Sequence, residues 1–102
     1  MGVSRIWLMN PLQAKYKQLR TILIEARKRA NLTQTELAER LNKPQSFVSK
    51  YENGERGLDV IELLGIASVL DIDPTRIIAQ LEQYTTILDK WEITPHILSE
   101  LL

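Results

Sequence analysis

Residues 32–41 read Leu32-Thr33-Gln34-Thr35-Glu36-Leu37-Ala38-Glu39-Arg40-Leu41, and residues 45–56 read Gln45-Ser46-Phe47-Val48-Ser49-Lys50-Tyr51-Glu52-Asn53-Gly54-Glu55-Arg56. Thr33 and Glu36 stand at capping-box spacing: the Glu36 N–H can donate to the Thr33 hydroxyl, and the Thr33 N–H to the Glu36 carboxylate. Leu32 and Leu37 flank the box as a hydrophobic staple. Leu37, Ala38 and Leu41 then share one helical face, and the helix is expected to stop near Asn42. Pro44, with its preset φ, opens a second short helix that turns Val48 and Tyr51 inward. Asn53-Gly54 ends it, because Gly54 is free to adopt positive φ. Two short helices separated by about three residues have the layout of a helix-turn-helix.

The same punctuation runs outward in both directions. Asn10-Pro11 can start a first helix, with an apolar stripe of Leu19, Ile22, Leu23, Ala26 and Ala30 ending at Asn31. Asp59 caps a fourth helix with Glu62 three residues on, stapled by Leu58 and Leu63, and its apolar face is read as Leu63, Leu64, Ala67 and Leu70. Asp73-Pro74 opens a fifth helix stapled by Ile72 and Ile77, and Thr94-Pro95 a short last one stapled by Ile93 and Leu98. Alternating β-branched runs bounded by turns are lacking, so strand signals are nearly absent. The expected fold is all-α: a compact five-helix domain over residues 16–81. Residues 1–15 form an N-terminal extension or the start of helix one, and residues 82–102 a short helical extension.

The two quoted segments, at this spacing, resemble the Cro/Xre family of helix-turn-helix proteins, which includes lambdoid phage repressors, restriction-modification controller proteins and many antitoxins. The likeness extends through Ile66-Ala67 and Leu70-Asp71-Ile72-Asp73 and covers roughly residues 16–81. It implies a repressor-like fold and sequence-specific binding of double-stranded DNA. It also implies that Gln34, at the start of helix two, grips a phosphate, and that Arg27 and Glu52 form an ion pair tying helix one to the end of helix three. The guanidinium of such a pair can keep a donor for a phosphate. Two positions depart from the family pattern. Asn42 stands where the inter-helix turn usually carries Gly, and Asn is the next most tolerant residue for that conformation. Pro44 stands where helix three usually starts on Ser or Thr, and it offers no side-chain oxygen to the first amides.

On a wheel of about 100° per residue, Phe47, Val48, Tyr51 and Glu52 fall on one side of helix three. Gln45, Ser46, Ser49 and Lys50 fall on the other. The resemblance implies that this second face enters the major groove. Gln can bond adenine N6 and N7, Lys can donate to guanine O6 and N7, and Ser can contact either. Those four residues are the candidate base contacts. Gln34, Lys43, Asn53, Arg56 and Arg27 are the candidate phosphate contacts, which position without specifying. Ala38 and Val48 are read as structural contacts where helices two and three cross.

Formal net charge is zero, but its distribution is not even. Residues 15–56 carry +5 and residues 57–102 carry −6, so one half attracts phosphate and the other faces away from it. The chain has 102 residues, 44% of them apolar, enough for one domain with a modest core. With no cysteine, a disulfide scaffold and a cysteine-based zinc site are both excluded, as suits a reducing cytoplasm. His96 is a lone histidine, and no Gly-rich loop is present to cradle a nucleotide phosphate. Neither an enzyme nor a cofactor is therefore expected.

The expected function is a DNA-binding transcription regulator, a repressor acting as a homodimer on a palindromic operator. The rival reading is an antitoxin or adaptor built to hold a partner protein. Residues 82–102 bear on both, since Trp91, Ile97, Leu98 and Leu101 are more apolar surface than a five-helix domain needs. That segment, with Trp7 nearby in sequence space to Ile6-Leu8-Met9, is a candidate dimer interface, a partner-binding segment or a flap on its own domain.

Overall fold

The computed structural model describes residues 11–82. The expectations for Ile6 to Met9, the Asn10 cap, the helix at Thr94-Pro95, His96 and all but Glu82 of the dimerisation segment lie outside the described residues. Among the described residues five helices follow one another: α1 (Pro11–Arg29), α2 (Gln34–Leu41), α3 (Gln45–Asn53), α4 (Val60–Leu70) and α5 (74–82). Among the described residues there is no strand.

Within the described residues, α2 to α5 start where the sequence chemistry requires. Thr33 caps α2 with its hydroxyl on the Glu36 N–H at 3.0 Å, and the Thr33 N–H donates to Glu36 Oε1 at 2.9 Å. Asp59 and Glu62 repeat the arrangement at the start of α4. At α5 the Asp73 carboxylate accepts from both the N–H and the hydroxyl of Thr75. The Pro44 side chain caps nothing, and a backbone turn serves instead, with the Phe47 N–H donating to the Pro44 carbonyl at 2.9 Å.

The C-terminal ends of α1, α2 and α4 are closed by non-glycine residues in the left-handed region: Asn31 at φ 59°, Asn42 at 60° and Asp71 at 57°. Only short polar side chains visit that region readily. At Asn42 the turn survives the loss of the usual glycine. The Asn42 N–H donates to the Glu39 carbonyl, and the Lys43 N–H reaches back to the Ala38 carbonyl at 2.9 Å.

The core lies where α3 packs against both α1 and α2, and α4 packs against α2. Leu23, Leu37, Val48, Tyr51, Ile66 and Ala67 are withdrawn from solvent, and Ile77 of α5 seals one end. The face of α4 differs from the expectation in one residue: Leu64 is exposed and Ile66 is buried. Measured from Leu63, at 100° per residue, Ile66, Ala67 and Leu70 lie within about 60°, whereas Leu64 lies about 100° away, at the rim. Ala30 is also exposed, because α1 ends at Arg29 and the chain has already turned. Phe47 is half-buried and packs edge-on to Tyr51, with ring centroids 5.6 Å apart.

The conformation at position 42 separates glycine from alanine cleanly. Asn42→Gly should keep or slightly raise the stability of the fold. Asn42→Ala should lower it by about 1–2 kcal/mol through the Cβ clash at positive φ, read as a shift in the urea midpoint.

Candidate nucleic-acid interface

Helix α3 presents two faces of opposite chemistry. Val48, Tyr51 and Glu52 are buried, while Gln45, Ser46 and Lys50 are exposed. Ser49 is half-buried, and its hydroxyl donates to the Ser46 carbonyl at 3.3 Å, leaving its oxygen as an acceptor. A short helix with one apolar and one hydrogen-bonding side can enter a groove only if its buried side is held firmly. The structure holds it with a polar relay.

The relay begins at Arg27 on α1. Its Nε donates to Glu52 Oε2 at 2.8 Å and its Nη2 to Glu52 Oε1 at 3.1 Å, a two-pronged ion pair between helices α1 and α3. Arg27 Nη1 donates to the Leu32 carbonyl at 2.8 Å, which fixes the turn into α2. Gln34 Nε2 donates to Glu52 Oε1 at 2.8 Å, and Gln45 Nε2 donates to Gln34 Oε1 at 2.8 Å. One line of hydrogen bonds thus joins α1, α2 and both ends of α3. The side chains of Arg27 and Glu52 retain 12% and 4% of their exposure, so neither charge is compensated by bulk water. The Glu52 carboxylate is the main reason the Arg27 guanidinium is held even more firmly protonated than usual, outweighing the opposing cost of burial.

Lys43 and Arg56 flank α3 at its two ends and converge on Phe47. Lys43 Nζ lies 5.4 Å from the ring centroid and Arg56 Cζ 4.7 Å, both within cation–π range. Arg56 Nη2 also donates to Glu62 Oε2 at 3.1 Å. The Glu62 carboxyl is held below its ordinary value, first by the Asp59 N–H and then by this guanidinium. Asn53 is exposed, and its Nδ2 donates to Glu55 Oε2 at 3.5 Å.

The structure therefore brings Arg27, Gln34, Gln45 and Glu52 into one network, and gathers Lys43 and Arg56 around Phe47. Lys50 stands apart on the open face, with Ser46. Three features had no reading in the sequence. The Gln34–Gln45 bond joins the first residues of two helices, and no periodicity relates such positions. The Arg56–Glu62 pair spans a loop; its signal was the second carboxylate oxygen that a capping box leaves unspent. The Phe47 ring under two cations follows from its half-exposed place in the first turn of α3.

A family model described as helix-turn-helix matches residues 23–77. The chain belongs to the Cro/C1-type (XRE) helix-turn-helix family. Within that family of DNA-binding regulators, it is similar to an XRE-family-like protein from Pseudomonas syringae pv. tomato str. DC3000. The two are 49% identical, the likeness covers 72% of this chain and 89% of that one, and the TM-score is 0.68. The fold is also shared with the clp gene regulator ClgR from Corynebacterium glutamicum, at 18% identity and a TM-score of 0.62, covering 82% of this chain and 89% of that one. A search of curated proteins found no match. No helix among the described residues is long and apolar enough to cross a membrane.

Glu52 is the pivot of this helix-turn-helix, and its removal is informative. Glu52→Ala leaves the guanidinium of Arg27 buried without a counter-charge and frees Gln34. It should cost about 3–5 kcal/mol in urea unfolding, whereas Glu36→Ala, on the exposed side of α2, should cost far less.

Proposed function

We propose that this protein is a transcriptional repressor that reads a specific duplex DNA sequence through α3 and binds a palindromic operator as a two-fold homodimer. The reading places it in the cytoplasm with its operator. The observation that carries the proposal is the outward face of α3: exposed Gln45, Ser46 and Lys50 on a helix whose opposite side is locked by the Arg27–Glu52–Gln34 relay.

The hydrogen-bond inventory of Gln45 supports base reading. Its amide has two N–H donors and one oxygen. One donor is spent on Gln34, which leaves the other donor and the oxygen. A bidentate contact to adenine needs one of each, the oxygen for N6–H and the N–H for N7. Gln45 can make that contact without breaking its bond to Gln34, so the side chain is already oriented before DNA arrives. Lys50, one and a half turns further along, supplies a donor for guanine O6 or N7, and Ser46 and Ser49 can contact either kind of edge.

Affinity comes from phosphate contacts, which also set the register. Gln34 lies at the N-terminus of α2, where the helix dipole favours an anion, and Lys43, Asn53 and Arg56 border α3. Arg27 has committed three nitrogens and contributes through its charge and its hold on Leu32. One helix of nine residues touches few base pairs. Pairing two copies about one helical turn apart doubles the contact and makes the site palindromic.

Selection of bound sequences from random DNA should yield a two-fold symmetric site. Gln45→Ala and Lys50→Ala should each cost about 1–3 kcal/mol at that site and relax preference at one base pair, with melting temperature unchanged. Normal binding by the Gln45→Ala/Lys50→Ala double variant would remove α3 from the role of reader, and a monomeric footprint would remove the dimer.

A further inference from the structure

Arg20 lies on α1 two turns before Arg27, and the relay does not use it. It is half-buried, yet among the described residues its guanidinium makes no hydrogen bond or ion pair. Its position is nevertheless well defined. A Cβ built on Gly54 would lie 3.1 Å from Arg20 Cζ, 3.2 Å from Nη1 and 3.3 Å from Nε. Near-equal distances to three atoms of one plane mean that the guanidinium turns its flat face to the place where a Cβ on Gly54 would stand. Gly54 thus serves twice. It takes φ 83° to close α3, and it leaves the space in which an arginine can lie against the backbone.

A stacked guanidinium points its N–H donors sideways, into the space around its edge. Here that space is a groove of about 410 Å³ at the C-terminal end of α3, bordered by Arg20, Tyr16, Asn53, Glu55 and Arg56. Two arginines border it against one carboxylate, Glu55; Arg56 has one nitrogen on Glu62 and the Asn53 amide leans on Glu55 at 3.5 Å, so the uncommitted guanidinium is that of Arg20. Two of the carbonyls that would repel an anion at a helix C-terminus, those of Lys50 and Tyr51, are already capped. The Gly54 N–H donates toward Tyr51 and Lys50, and the Glu55 N–H to Lys50 at 2.8 Å. The groove therefore has the donor geometry and charge for a phosphodiester. It adjoins the exposed Asn53 at the foot of the reading helix.

We propose that Arg20 is a backbone-gripping residue that holds one phosphodiester of the bound DNA at the C-terminal end of α3, seated on Gly54 and beside Asn53. The inference rests on the reading of α3 as the helix that enters DNA. It adds a grip from α1 at the end opposite to Gln34, so the helix is anchored to the backbone at both ends.

The test uses the full chain, the duplex selected by the wild type and a random duplex of equal length, followed by fluorescence anisotropy across a salt series. Arg20→Ala and Arg20→Gln should weaken binding to both duplexes alike, by about five- to tenfold, and flatten the log–log salt slope by about one. Melting temperature should change little, since the guanidinium loses packing on Gly54 but no hydrogen bond or ion pair. A set of duplexes with one neutral methylphosphonate each should contain one position that weakens the wild type and leaves Arg20→Ala unaffected. Wild-type affinity and slope in both variants, while Gln45→Ala still loses binding, would overturn the role of Arg20 and leave α3 as reader. Losses that follow a falling melting temperature, with no backbone position singled out, would make Arg20 structural and overturn it as well. A wild type that binds no duplex would remove the reading of α3 and this inference together.

Discussion

Among the described residues, Arg27 and Glu52 lie in the one place where the fold removes two full charges from water, and the orientation of α3 depends on their meeting there. Neither could be buried alone, because a lone ion in a low-dielectric interior costs several kcal/mol. Together they need close, two-pronged geometry, and that geometry exists only when α1 and α3 cross at one place. A purely apolar contact between these helices would tolerate sliding by a fraction of a turn. The ion pair does not, since a shift of one or two ångströms would break both hydrogen bonds at once. The pair thus converts a non-directional packing preference into a defined angle for α3.

The rest of the design protects that angle. α3 is too short to be stable alone, so its shape is imposed by Val48 and Tyr51 in the core and by the turns at each end. Among the described residues, three of the four left-handed helix ends are made by Asn or Asp rather than Gly. Such residues restrict the unfolded chain more than glycine does, and they keep the connections short and stiff. Tyr51 adds size, filling the space between α1 and the loop after α3. Burial pushes its hydroxyl well above the ordinary phenol range, so it stays neutral within the core.

Most of this architecture is legible in the sequence because it is local. Thr33 with Glu36, and Asp59 with Glu62, announce helix starts within four residues, and Asn31, Asn42 and Gly54 announce the ends. The inward face of α3 follows from spacing alone. The Arg27–Glu52 pair was legible only through the family resemblance, since nothing local connects positions 25 residues apart. Leu64 was misplaced because a helix start that is apolar at every position but Glu62 gives periodicity little to discriminate, and the neighbours of α4 decide which residue is at the rim. The Gln34–Gln45 bond and the seat of Arg20 on Gly54 depend on how helices meet in space, and one-dimensional spacing carries no record of that.

On the proposed reading of α3 as the helix that enters DNA, the bond from Gln45 to Gln34 has a consequence for how such a protein could change its target. Gln45 belongs to the reading helix and Gln34 to the supporting one, yet the orientation of the first is set by the second. A new residue at position 45 would inherit a glutamine neighbour suited to the old one, and a change at position 34 would alter what position 45 can read without touching α3. The two sites therefore form one inherited unit. Descendants that acquire a different operator through position 45 must either keep its partner or replace both residues, and a graft of α3 alone onto a sister protein would carry only half of the instruction.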